Sequence, residues 1–184
     1  MRAKMRKAAM ALMAAGMFAV VVPAVANAVT LSVPLTAQAK SNWCWVTCAQ
    51  MVIEYLTGNH ILQCNLVKVA FGTSDCPNDP GTFDDVKRAL NHGGVTSGTV
   101  YSGAPTYDNL VTEIGASRPV IARWGWKSCN KTCGHMVVVR GYTTSTVIYL
   151  NPLDGGSYGT ASYSYFTDNS SYATTHNQRG LRRK

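Results

Sequence analysis

"GHMVVVRGYTTSTVIYLNP", residues 134–152, holds two runs rich in Val, Ile and Tyr separated by Thr and Ser. β-Branched and aromatic residues suit a pleated, half-buried surface, and turn formers lie between the runs, so the stretch reads as a β-hairpin. His135 opens the first strand directly after Gly134, and Asn151 closes the second directly before Pro152. A loop symmetric about Thr143 sets residues 135 and 151 opposite one another, on one face, with Cβ atoms ~5 Å apart. Asn151 can then accept a hydrogen bond from one ring nitrogen of His135 and leave the other for a second partner. The plainer alternative is an Asn-Pro pair that merely starts a turn.

Working outward from the hairpin, "RPVIARW" at 118–124 has the same texture and reads as another strand. Before Gly115 the texture is helical. Trp45, Ala49, Val52, Ile53 and Leu56 follow helical spacing up to Gly58, with Ser41 as the expected N-cap. A second helix is expected over Gln63–Phe71, stopping at Gly72. "TFDDVKRALNHGG" is a third, with Thr82 and Asp85 as an approximate capping box and Gly93 as a left-handed cap. A fourth runs from near Thr106 to Gly115. Helices first and strands second describe an α+β domain, not alternating βαβ units. "GGSYGTASYSYF" at 155–166 is expected to add one or two outer strands.

An imidazole held at a strand end invites a nucleophile. In "LTAQAKSNWCWVTCAQM", residues 35–51, Cys44 stands between Trp43 and Trp45 at the expected start of the first helix. Unpaired N–H groups and the helix dipole there favour a thiolate, which is the reactive form of a catalytic cysteine. An arbitrary cysteine of an exported chain is more often half of a disulfide or a small core residue. His60, His92 and His176 fall in a loop, at a helix end and in the C-terminal tail, where each reads as a surface histidine. Gln38, six residues before Cys44, can fold back to the helix start and donate an amide N–H to an oxyanion.

The chain ends narrow the function classes. Arg2, Lys4, Arg6 and Lys7 precede an apolar run to Val25, and Ala26-Asn27-Ala28 has the small-x-small pattern of a cleavage site. Residues 1–28 therefore read as a signal peptide, placing the mature chain in the periplasm or outside the cell. A retained anchor is the competing reading; cleavage leaves no stable membrane insertion. Residues 29–172 make one domain of ordinary size, and 173–184 a flexible basic tail. Of the 17 Lys and Arg, four lie before residue 8 and four in the last six residues. The net charge of +8 thus belongs to the ends, and the domain between carries no nucleic-acid footprint.

The order Gln38, Cys44-Trp45, Gly134-His135, Asn151-Pro152 resembles a papain-like cysteine protease. "NWCW" with "RPVIARWGW…GHMVVVRGY" is most similar to its compact bacterial subgroup, which includes secreted effector proteases and bacteriocin-processing peptidase domains. The resemblance implies two lobes, an N-terminal helical one carrying Cys44 and a C-terminal antiparallel β lobe carrying His135 and Asn151, with the cleft between. It implies catalysis by Cys44, His135 and Asn151 with Gln38 in the oxyanion hole, and a protein or peptide substrate. Trp43, Trp45 and Gly134 are expected beside the substrate, one indole toward the cleft and one in the lobe interface. No cofactor is expected; a separate inhibitor protein is a possible partner, because no inhibitory propeptide follows the signal. Cell-wall amidase or peptidyl and acyl transferase chemistry would use the same dyad, and a non-catalytic binding module would keep the fold alone.

Five cysteines remain besides Cys44. Cys64 with Cys76 closes a loop worth roughly 3 kcal/mol in the chain-entropy model, and Cys129 with Cys133 brackets the approach to His135. Cys48 is left as a buried free thiol, with exchange against Cys64 or Cys76 as the rival pairing. "CNKTCGH" offers only two thiols and a histidine, so no metal site is expected. Which of Trp124, Trp126 and Tyr142 faces the cleft stays open.

Overall fold

The computed structural model describes residues 28–153 and 155–184, so the expected signal segment lies outside the described residues apart from Ala28. The order is β1 (Val29–Thr30), α1 (Cys44–Thr57), α2 (Gln63–Phe71), α3 (Phe83–His92), β2 (Val95–Thr96), β3 (Thr99–Ser102) and α4 (Tyr107–Gly115). It continues with β4 (Val120–Trp126), β5 (Gly134–Tyr142), β6 (Thr146–Asn151), β7 (Ser157–Ser162), α5 (Tyr163–Thr167), β8 (Tyr172–Arg179) and β9 (Arg182–Arg183). The main sheet is antiparallel in the order β3-β8-β4-β5-β6-β7, with β1 added to β5.

Alternation along the central strands makes two cores. Ile121, Met136, Val138 and Leu150 face α1, α2 and α3. Val120, Ala122, Val137, Val139 and Val147 form the other core with Leu110 of α4 and Phe166 of α5. Residues one apart in a strand point to opposite faces, which is why "VVV" at 137–139 serves both. α1 is buried without a break from Trp45 to Ile53. The capping box on α3 is present, with Asp85 Oδ2 accepting from the Thr82 amide at 2.7 Å. Gly93 is not the left-handed cap, since its φ is −76°; the next residue, Gly94, takes φ +80°.

The largest departure from the sequence reading is at the C-terminus. Residues 172–179, most of the expected flexible tail, form β8, which lies inside the sheet between β3 and β4. Leu181 is fully buried, and β9 pairs with β2. "YATTHNQR" lacks the apolar alternation of a core strand, so periodicity does not reveal it. Its amides find partners only in the fold, Asn177 donating to Gly103 O at 2.9 Å and Gln178 to Ser97 O at 2.6 Å. Downstream of Gly155, one outer strand forms at 157–162, and "YSYFT" is helical instead of extended.

Candidate active site

α1 begins at Cys44 itself. Its N-cap is Trp43, which makes no side-chain cap bond. The expected cap, Ser41, is engaged elsewhere, its hydroxyl accepting from Asn78 Nδ2 at 2.9 Å. The loop around Asn78 is drawn against the helix start by both indoles. Trp43 Nε1 donates to Pro77 O at 2.8 Å, and Trp45 Nε1 to Asp79 O at 3.2 Å. The disulfide Cys64–Cys76 ties the same loop to α2. Trp45 lies in the cavity wall, whereas Trp43 is 2% exposed and lies outside it. Trp43 thus departs from the expected place beside a substrate: its ring is covered by Lys40, 4.7 Å from the centroid, and by the loop.

The backbone N–H groups of Met136, Trp45 and Cys44 favour charge on Cys44 Sγ, the first belonging to the residue after His135. Burial nevertheless pushes the thiol above its ordinary 9.0, outweighing those N–H groups and the charge of Arg123, which all pull it down. The helix start therefore contributes as the sequence suggests, but alone it does not make a thiolate. Cys48, one turn below, is free and fully buried, and its thiol is pushed well above the usual range by that burial.

His135 Nε2 lies 2.7 Å from Asn151 Oδ1. The same oxygen accepts from Leu153 N–H at 3.0 Å, which fixes it as an acceptor and His135 Nε2 as the donor. Nδ1 is then the ring nitrogen that carries no proton in the neutral imidazole. The hairpin register differs from the symmetric one. Val138 faces Leu150 and Val139 faces Tyr149, with a bulge before Gly141. Continued to its end, this register sets Asn151 across from Val137 instead of His135. A slip of two residues preserves the face, and a diagonal neighbour is within reach of two long side chains.

Trp126, not Trp124 or Tyr142, is the aromatic of the open set that lines the cavity, and it stacks on His135 with centroids 6.3 Å apart. Trp124 is 5% exposed and packs in the second core against Tyr172. Gly134 also lines the cavity; a Cβ there would come within 2.2 Å of Trp124 O and 2.9 Å of the Arg123 guanidinium carbon. The disulfide Cys129–Cys133 closes the loop that delivers Gly134 and His135.

Gln38 is fastened between the lobes, its backbone N–H donating to Pro152 O at 2.9 Å. Its side-chain amide donates to Lys40 O and Ser41 O, at 3.0 and 2.7 Å, and its Oε1 is buried without a hydrogen bond. Cys44 and His135 share a cavity of about 780 Å³ between the helices and the sheet. Two of its walls escape the sequence reading. Arg123 passes there as an ordinary strand residue, and His176 as a tail histidine. The structure pairs Arg123 with both Met136 and His176 across the sheet. Nothing local marks His176, because its place depends on β8 entering the sheet.

The model of the Peptidase_C39 like family matches residues 30–179. The chain belongs to this family. It is a cysteine-type peptidase with a papain-like fold. Among solved structures, the C39-like chain is similar to the peptidase domain of Streptococcus ComA, a bi-functional ABC transporter involved in quorum sensing. The identity is 15% and the TM-score 0.62, covering 83% of this chain and 99% of that one. A double glycine motif protease from an AMS/PCAT transporter, in complex with its leader peptide, is 18% identical with TM-score 0.54, covering 82% and 94%. A C39-like peptidase from Bacillus anthracis is 14% identical with TM-score 0.62, covering 86% and 100%. No curated protein matches the sequence. At these identities the neighbours establish the fold, a mixed helical and antiparallel arrangement with the Cys44 helix packed on the His135 sheet.

Proposed function

We propose that the chain is an exported peptidase that hydrolyses peptide bonds through Cys44, His135 and Asn151. The observation that carries the reading is the junction of α1 and β5. The Met136 N–H favours charge on Cys44 Sγ, while the adjacent His135 is oriented by Asn151. His135 accepts the thiol proton, and Sγ attacks the carbonyl carbon of the substrate. The imidazolium returns the proton to the leaving amine, and water activated by the same ring then releases the acyl group. Gln38, which does not line the cavity, would serve the oxyanion by turning one amide N–H away from Lys40 O or Ser41 O; its N–H bond to Pro152 O ties it to the residue after Asn151. The substrate is a peptide or protein, in keeping with the leader peptide bound to one structural neighbour.

Export rests on the basic-apolar-small pattern of residues 1–28. Val29 pairs with Tyr142 at once, so a chain cut after Ala28 keeps its first strand. A thiol-reactive peptide probe tests the enzyme: it should label the protein and its Cys48→Ser variant, and leave Cys44→Ser unlabelled. Labelling lost only in Cys48→Ser would overturn the assignment. Sequencing the exported protein from its N-terminus should begin at Val29.

A further inference from the structure

The cavity carries a positive charge, on Arg123, that takes no proton-transfer or bond-breaking role in the proposed chemistry. Among the described residues that line it there is no Asp or Glu, while Arg123 and His176 stand side by side on its sheet wall. Arg123 makes no ion pair among the described residues. Its guanidinium is held by neutral acceptors only: Thr175 Oγ1 at 2.8 Å, Thr132 O at 3.0 Å and Lys131 O at 3.4 Å. Those bonds fix the group against the Cα of Gly134, next to His135, without cancelling its charge. His176 adds a ring nitrogen, Nδ1, that is buried and has no hydrogen-bond partner. Phe83, 6.0 Å from the His176 ring, forms the helical wall opposite.

A fixed guanidinium with no acidic partner among the described residues, in a partly enclosed cleft, selects for an anion by its charge, since the fork's own N–H groups are already held by Thr175, Thr132 and Lys131. In a peptide that anion is a carboxylate. Resting on the peptidase reading above, we propose that Arg123 and His176 form a carboxylate-binding subsite that makes the enzyme prefer substrates with a negative group close to the scissile bond. An acidic side chain and a free C-terminal carboxylate present the same chemistry. Arg123 and His176 are specificity determinants here; neither takes part in bond breaking.

Two measurements test this. Wild-type protein is given a peptide library in which each position near the cut carries Asp, Asn, Lys or Ala, each peptide as free acid and as C-terminal amide. One position should show a preference for Asp over Asn of roughly tenfold or more, as for a hydrogen bond to a charged group. Preference confined to free acids would identify the terminal carboxylate as the ligand, and preference in both forms the side chain. Arg123→Gln should abolish the Asp/Asn ratio, Arg123→Lys should keep part of it, and His176→Phe should reduce it. If Arg123 only braced the loop, the ratio would be unchanged while overall activity fell, and the proposal would fail. Binding of the same peptides to Cys44→Ala protein reads recognition without turnover. Equal binding of Asp and Asn peptides there, with cleavage intact in wild type, would overturn the subsite and leave the peptidase standing. Acid-selective binding without any cleavage by wild type would support the subsite and overturn the peptidase.

Discussion

Removal of His135 should expose the true cost of ionising Cys44. In the His135→Ala variant only the three backbone N–H groups and Arg123 favour the thiolate, and burial outweighs them, so the thiol titrates above its ordinary 9.0. At pH 7 a group two units or more below its pKa is on the order of 1% ionised or less. On the proposed mechanism, proton transfer to His135 would make the thiolate the main form in the wild type, a gain of ~100-fold in reactive species. Nucleophilicity falls as a thiol becomes more acidic, returning up to about tenfold of that gain. The net expectation is a loss of roughly tenfold or more in the rate of iodoacetamide alkylation of Cys44 at pH 7. The pH profile carries the sharper signature. The variant's rate should climb about tenfold per pH unit through pH 8 and level off only above pH 9, whereas the wild type should reach a plateau well below that. Mass spectrometry of the Cys44 peptide against time supplies the rates, with Cys48→Ser in both backgrounds to remove the second thiol. Equal rates at pH 7, or parallel profiles, would refute the claim that burial opposes the thiolate and His135 creates it.

Asn151→Ala should lower kcat about tenfold with little change in KM, because one hydrogen bond to His135 Nε2 is lost; Asn151→Asp, which still accepts, should retain most of the activity. Gly81→Ala should cost about 1–3 kcal/mol of stability, read as a lower Tm, since a Cβ there would sit 2.3 Å from the Trp45 indole. At Asp85, burial raises the carboxyl pKa, but Thr82 and Arg88 outweigh it and hold the group below the ordinary value. Its stabilising contribution is therefore full above about pH 3.9 and disappears as pH falls through the lower folded value. Urea melts between pH 5 and 2 should show that acid loss in the wild type and a smaller one in Asp85→Asn.

The residues by themselves determined a good deal. Helical spacing from Trp45 to Leu56, the Thr82–Asp85 box and the Val-rich hairpin are local patterns, and local patterns survive folding because each is satisfied by near neighbours. Parity did the same for the site only with help: beside the turn the register is an odd step from the symmetric one, and the bulge before Gly141 restores the even slip that keeps Asn151 on the face of His135. The tertiary structure alone decided what depends on distant partners. β8 is polar in sequence and becomes an inner strand only because β3 and β4 pair with it on either side. That placement carries His176 into the cavity beside Arg123. The state of the thiol was equally out of reach, since helix position is written in the chain while desolvation comes from walls that other segments build.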